Sequence, residues 1–157
     1  MNFLRGSVTA SAVVILMSFA QSAFSVQNLG KETKVVSSTC SKSEISLGSA
    51  HISKQMSAFK IRNFASAYSF ASKEFQSSKT LKDFEQIISS KYSMLLEYKN
   101  YKVTSCDKKG QFFMFILELL DKQGSAWEVR YLLSNTKGVW GVEAAAVFPL
   151  DSLKLIA

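Results

Sequence analysis

The feature that most constrains the fold is a change of hydrophobic period near Glu97. Before it, apolar residues recur with helical spacing; after it, they alternate as in half-buried strands. Over 47–59, Ile52, Met56 and Phe59 fall on one helical face, and Ser46 or Ser49 is placed to cap the start. Over 61–71, Ile61, Phe64, Ala65, Tyr68 and Ala71 align in the same way. A third helix opens at Thr80-Leu81-Lys82-Asp83, where Thr suits the N-cap and the early Asp suits the positive helix end. Its expected buried stripe is Leu81, Phe84, Ile87 and Ile88, extended to Tyr92. Tyr101 and Val103 then begin an alternation, followed by three strands over 111–120, 125–134 and 139–148. The turn sequences Asp121-Lys122-Gln123-Gly124 and Asn135-Thr136-Lys137-Gly138 separate them. Helices first and an antiparallel meander after predict an α+β domain with the helices on one side of the sheet.

The first 25 residues set the compartment. Arg5 gives a positive start, 8–20 is an apolar run, and Ala23-Phe24-Ser25 supplies small residues before a cut near Val26. This is the pattern of a cleavable export signal. An uncleaved membrane anchor is the alternative, because a spanning helix needs roughly 20 apolar residues and 6–23 comes close. Ser7, Thr9, Ser11, Ser18, Gln21 and Ser22 dilute that run. The expected layout is a signal over 1–25, a polar lead-in over 26–46 with Val35-Val36 as a short strand, and a single domain over 47–150.

The net charge of +7 falls by one when the signal, with Arg5, is removed. A basic chain can meet nucleic acid or anionic lipid headgroups. The lysines are scattered and export separates the chain from nucleic acid, so no nucleic-acid partner is expected; a weak anionic membrane-surface contact stays open. Cys40 and Cys106 are the two cysteines, an even count that suits a disulfide in an oxidising compartment, with two buried thiols as the alternative. No metal site is expected: His51 is the only histidine and no cysteine pair has ligand spacing. No cofactor motif is present, neither a phosphate-cradling glycine loop nor a nucleophile elbow.

Four stretches carry a resemblance: Gln55-x-x-Ala58-Phe59, Phe64-Ala65-x-Ala67-Tyr68-x-Phe70-Ala71-Ser72, Asp121-x-x-Gly124-x-Ala126-Trp127 and Gly138-Val139-Trp140. With the element order, they resemble the nuclear transport factor 2-like superfamily, and within it the uncharacterised family domain of unknown function 4864, over about residues 50–148. The resemblance implies a curved antiparallel sheet wrapped around N-terminal helices as a cone. It implies a fold rather than a function.

The first turn chooses the strand register. With Asp121 opening a type I turn and Gly124 left-handed, Leu119 faces Trp127, Leu117 faces Val129 and Phe115 faces Tyr131. Two apolar faces then coincide, as a buried face requires. Hydrophobicity adds Trp140, Val142, Ala144 and Ala146 to that face. The candidate pocket lining in the cone is therefore Phe64, Tyr68, Tyr92, Phe115, Leu117, Trp127, Tyr131, Trp140 and Ala144.

That lining holds no carboxylate, histidine or lysine, so no catalytic residue is assigned. Proton-moving enzymes of the fold need a buried acid or base. The tyrosines could orient a ligand; the alternative is that they are core residues with satisfied hydroxyls. The opposite face carries Phe112, Met114, Ile116, Glu118, Arg130 and Leu132, an apolar patch of the kind that marks an interface. Pairing through that face is also what the resemblance implies, so a homodimer is expected, with Glu118 and Arg130 as a diagonal pair; cover by loops or the N-terminal segment is the alternative. The expected function is a non-catalytic module binding a small apolar ligand or a protein partner. The alternatives are an isomerase or dehydratase-type enzyme, with Glu118 as its acid, and a cationic lipid-surface factor.

Overall fold

A computed structural model describes residues 38–150. The signal segment, the cut near Ser25 and the Val35-Val36 strand lie outside the described residues.

Each helix starts at a side-chain cap. Helix α1 (Lys42–Lys60) is capped by Ser41, which exchanges hydrogen bonds with Glu44 in a capping box. It begins five residues before the expected 47, because the Ser41-x-x-Glu44 box caps the chain there and leaves Ser46 and Ser49 inside the helix. Ile61 closes α1, and Arg62, with φ 55°, turns the chain. Asn63 caps a new helix, α2 (Phe64–Ser69). The single helix expected over 61–71 is thereby shortened, and Ile61, expected on its buried stripe, is 74% exposed. Ser72 caps α3 (Lys73–Ser78), which the periodicity did not announce. Thr80 caps α4 (Leu81–Lys91) in a second capping box with Asp83, as expected. Its stripe is narrower than expected: Phe84 and Ile88 are buried, Ile87 is half-buried and Leu81 is exposed.

A 3-10 turn (Ser93–Leu95) leads into the sheet. Strands β1 (Ser38–Thr39), β2 (Tyr98–Lys109), β3 (Phe112–Asp121), β4 (Ala126–Thr136) and β5 (Val139–Pro149) pair in sequence order, all antiparallel. Beside β1, Cys40 and Cys106 form a disulfide with Cα atoms 5.5 Å apart. The β3–β4 turn follows the expected register: Asp121 N–H donates to the Ser125 carbonyl at 3.0 Å, Gly124 has φ +88°, and Leu119 faces Trp127. The β4–β5 turn uses Lys137 and Gly138, both at positive φ, in a two-residue loop matched to strand twist.

This is an α+β architecture, with the helices preceding a five-stranded antiparallel meander. Phe113, Phe115, Leu117, Leu119, Val129, Tyr131 and Leu133 cover one side of the sheet and join Ile52, Met56, Phe59, Phe84 and Ile88 of the helices in one buried cluster.

Candidate functional site

The helix-facing side of the sheet is packed. Phe115, Leu117 and Tyr131, expected to line a pocket, are 0%, 0% and 1% exposed. The Phe115 ring lies so close to Gly48 of α1 that a Cβ there would overlap it. The Tyr131 hydroxyl reaches Met56 Sδ at 3.4 Å, and burial pushes its pKa well up. The other two tyrosines are also occupied. Tyr68 donates to the Lys79 carbonyl at 2.6 Å, and Tyr92 reaches the Ala145 carbonyl at 3.4 Å. Phe64, Trp127 and Trp140 are half-buried at the margins of the core, Trp140 against Phe113 with ring centroids 4.7 Å apart.

Ala144 is a correction. The pairing of β4 with β5 shifts at Leu132/Leu133, where Leu132 faces Ala144 and Leu133 faces Val142, leaving Glu143 as an extra residue. This bulge reverses the alternation beyond it. Ala145 and Val147 therefore join Tyr131 and Val129, while Ala144 and Ala146 turn to the outer face beside Leu132 and Arg130.

The register gathers the second candidate set on the outer face. Met114 lies opposite Leu132, Ile116 opposite Arg130, and Phe112 and Glu118 continue the same side of β3. Phe112 is 41% exposed; Met114, Ile116 and Leu132 are half-buried. Glu118 and Arg130 do not pair with each other. Glu118 meets Lys102 directly across β2 at 2.6 Å, and Arg130 meets Glu128, two residues back on its own strand, at 2.5 Å. Arg130 also lies over the Phe148 ring, 4.8 Å from its centroid.

Two polar arrangements escaped the sequence reading. Asp121 is buried and accepts from Trp127 Nε1 at 2.8 Å and from the Ser125 amide at 2.8 Å. Burial raises its pKa, but these bonds, with those from the Gln123 and Gly124 amides, outweigh it and hold the carboxyl below the usual range. An ionised, fully engaged carboxylate is a turn lock and a poor proton acceptor. Its signal was the turn motif itself, with Trp127 three residues past Gly124.

The second arrangement fastens the α2–α3 junction to β5. Ser72 N–H donates to the Val142 carbonyl and Val142 N–H to the Phe70 carbonyl, each at 2.9 Å. Ser72 Oγ donates to the bulged Glu143 at 2.7 Å while accepting from the Phe75 amide at 3.0 Å. His51 Nε2 lies 2.8 Å from the Phe70 carbonyl; since a carbonyl only accepts, this nitrogen carries the proton. Burial lowers the His51 pKa, opposed by that bond. The histidine thus serves the backbone and is not bonded to the Ser72 hydroxyl, so nucleophile and base are not assembled. Among the described residues, no group of three His, Cys, Asp or Glu side chains could hold a metal ion, and no helix is long and apolar enough to cross a membrane.

Residues 43–154 match the model of a family described as Domain of unknown function (DUF4864). No curated protein matches the chain. Among solved structures, the chain is similar to an NTF2-like protein of unknown function from Cytophaga hutchinsonii, at 18% identity and a TM-score of 0.40, over 70% of this chain and 95% of that one. It is also similar to a SEC-C motif containing protein from Rhodopseudomonas palustris, at 11% identity and a TM-score of 0.39, over 65% of this chain and 89% of that one.

Proposed function

Since the chain belongs to the DUF4864 family, and a fold fixes no chemistry by itself, we propose that it works outside the cytoplasm as a non-catalytic, homodimeric interaction module pairing through the outer face of its sheet. The observation that carries this reading is the run of Phe112, Met114, Ile116 and Leu132 on one outward side of β3 and β4. Contiguous apolar surface of this kind is costly to leave in water and favours association. The charged pairs Lys102–Glu118 and Arg130–Glu128 lie on the same outer side, as interface rims do. The Cys40–Cys106 disulfide supports an oxidising compartment, in keeping with an N-terminal signal cleaved near Ser25.

The enzyme alternative lacks its acid. Glu118 lies on the outer face with Lys102, away from the helix-facing tyrosines, whose hydroxyls already have partners. A small apolar ligand inside the cone would have to displace Phe115, Leu117 or Tyr131 from full burial.

Native mass spectrometry of the purified protein and of Ile116→Asp tests the proposal in one measurement. The expected result is a dimer for the parent and a monomer for the variant, each without extra mass. An unchanged oligomeric mass in the variant, or a bound small molecule lost on denaturation, overturns it.

A further inference from the structure

Between Ile45 and Lys73 the sequence contains no aspartate or glutamate, yet it carries Lys54, Lys60, Arg62 and Lys73. Those residues form α1 beyond its first turn and all of α2. The outward side of α1 is therefore free of acid along most of its length. Arg62 is held by Glu97 at 2.5 Å and the Lys60 ammonium lies over the Tyr98 ring, 4.9 Å from its centroid, so Lys54 carries the charge of this side.

Two large aliphatics stand exposed on the same stripe. Leu47 is 54% exposed and Ile61 is 74% exposed. Fourteen positions separate them, which returns to nearly the same face about 21 Å along the helix axis, with Lys54 midway. Beside the Ile61 end, an open depression of about 370 Å³ lies between α1 and α2. Lys54 and the serines Ser53, Ser57 and Ser66 line it with donors, Ile61 and Phe70 supply apolar edges, and no carboxylate lines it.

We infer that this helical face docks on an anionic phospholipid surface. Leu47 and Ile61 enter the boundary between headgroups and acyl chains, while Lys54 and the serine hydroxyls engage headgroup phosphates. Two physical points favour lipid over a protein partner. The aliphatics are too far apart for a contiguous apolar patch, whereas an interfacial helix needs only apolar insertion along one line plus cationic attraction. Lysine is depleted in protein interfaces but is what a negative membrane surface attracts. The surface is separate from the outer sheet face, and neither reading requires the other.

The test is co-sedimentation with vesicles of phosphatidylglycerol and phosphatidylcholine, and with phosphatidylcholine alone. The protein keeps the N-terminus its producing cell leaves, so any contribution of the leader is common to all variants. The parent is expected to bind the anionic vesicles and to release them in high salt. Lys54→Glu and the double variant Leu47→Ser, Ile61→Ser should each weaken binding roughly tenfold or more, with unchanged circular dichroism since all three positions are exposed. Ile116→Asp should bind as the parent does, which separates this inference from the sheet-face proposal. Equal binding by parent and Lys54→Glu, or equal binding to neutral vesicles, overturns it. So does retention on polyglutamate without retention on vesicles, which would indicate an acidic protein partner, or full displacement by millimolar inorganic phosphate, which would indicate a free anion.

Discussion

The ring of Phe115 lies directly on the backbone of Gly48, joining the middle of the sheet to α1 with no side chain between them. Helix propensity alone would favour alanine at position 48 by about 1 kcal/mol. Packing reverses the sign. Phe115 is 0% exposed and cannot swing aside without displacing its neighbours. Gly48→Ala should therefore destabilise by about 1–3 kcal/mol, the usual cost of overpacking. Urea unfolding followed by circular dichroism measures it. A stabilised variant would mean that α1 is not seated on the sheet as described.

Acid should weaken the protein in two stages. Burial, opposed by the bond to the Phe70 carbonyl, holds His51 below its ordinary 6.5. Between its folded and unfolded values the unfolded chain binds more protons, so the stability it contributes is complete above pH 6.5 and is lost as pH falls through the lowered value. Glu44 is held at about 2, chiefly by its bond to Lys108 and then by Ser41. Its contribution is complete above about 4.5 and is lost as pH falls toward 2. The urea midpoint should be level above pH 6.5, fall once below it, and fall again below 4.5. His51→Gln should remove the upper step alone. A parent midpoint unchanged from pH 7 to 5 contradicts the buried placement of His51.

Much of this architecture was legible because local and tertiary signals agree. The Asp121–Gly124 turn fixed the β3–β4 register, and that register alone placed Phe115, Leu117 and Tyr131 on one face and Met114, Ile116 and Leu132 on the other. The β4–β5 pairing was not legible beyond Val142. A bulge at Glu143 leaves no mark in an alanine run, because Ala144, Ala145 and Ala146 look alike whichever way they point. The split of the second helix was masked because Ile61 keeps the helical period while Asn63 restarts the chain. Gln55 entered only through a family resemblance. Its role is physical: buried in α1, it donates to the Ala67 carbonyl of α2 at 3.0 Å. Whether the cone was hollow could not be read from periodicity, since a filled core and a lined pocket share one apolar pattern.

Two glycines should respond differently to alanine. At Gly141, a Cβ would lie 2.6 Å from Ser72 Cα, and backbone cannot yield as a side chain can. Gly141→Ala should cost about 1–3 kcal/mol and expose the Ser72 and Val142 amides to hydrogen exchange. At Gly124, nothing lies within 4 Å, but φ is +88°. Gly124→Ala should cost about 1–2 kcal/mol through left-handed strain alone, with exchange at Ser72 and Val142 unchanged apart from that global loss. Protected Ser72 and Val142 amides in Gly141→Ala would argue against the close approach of the α2–α3 junction to β5.

The last prediction concerns Cys40 and Cys106. The disulfide closes 66 residues of chain, spanning all four helices and three quarters of β2. Constraining a loop of that length in the unfolded state stabilises by about 4 kcal/mol in the chain-entropy model. The double variant Cys40→Ser, Cys106→Ser should lose about that much, with the folded sheet otherwise retained. Both cysteines are buried, at 7% and 4% exposure, so a reductant must wait for the chain to open. In the parent, the reduction rate should therefore rise with urea in step with unfolding rather than with reductant concentration alone. Rapid reduction of the native protein at low urea would mean that the β1 end of the sheet opens by itself. A double variant as stable as the parent would remove the disulfide from the forces that hold this fold.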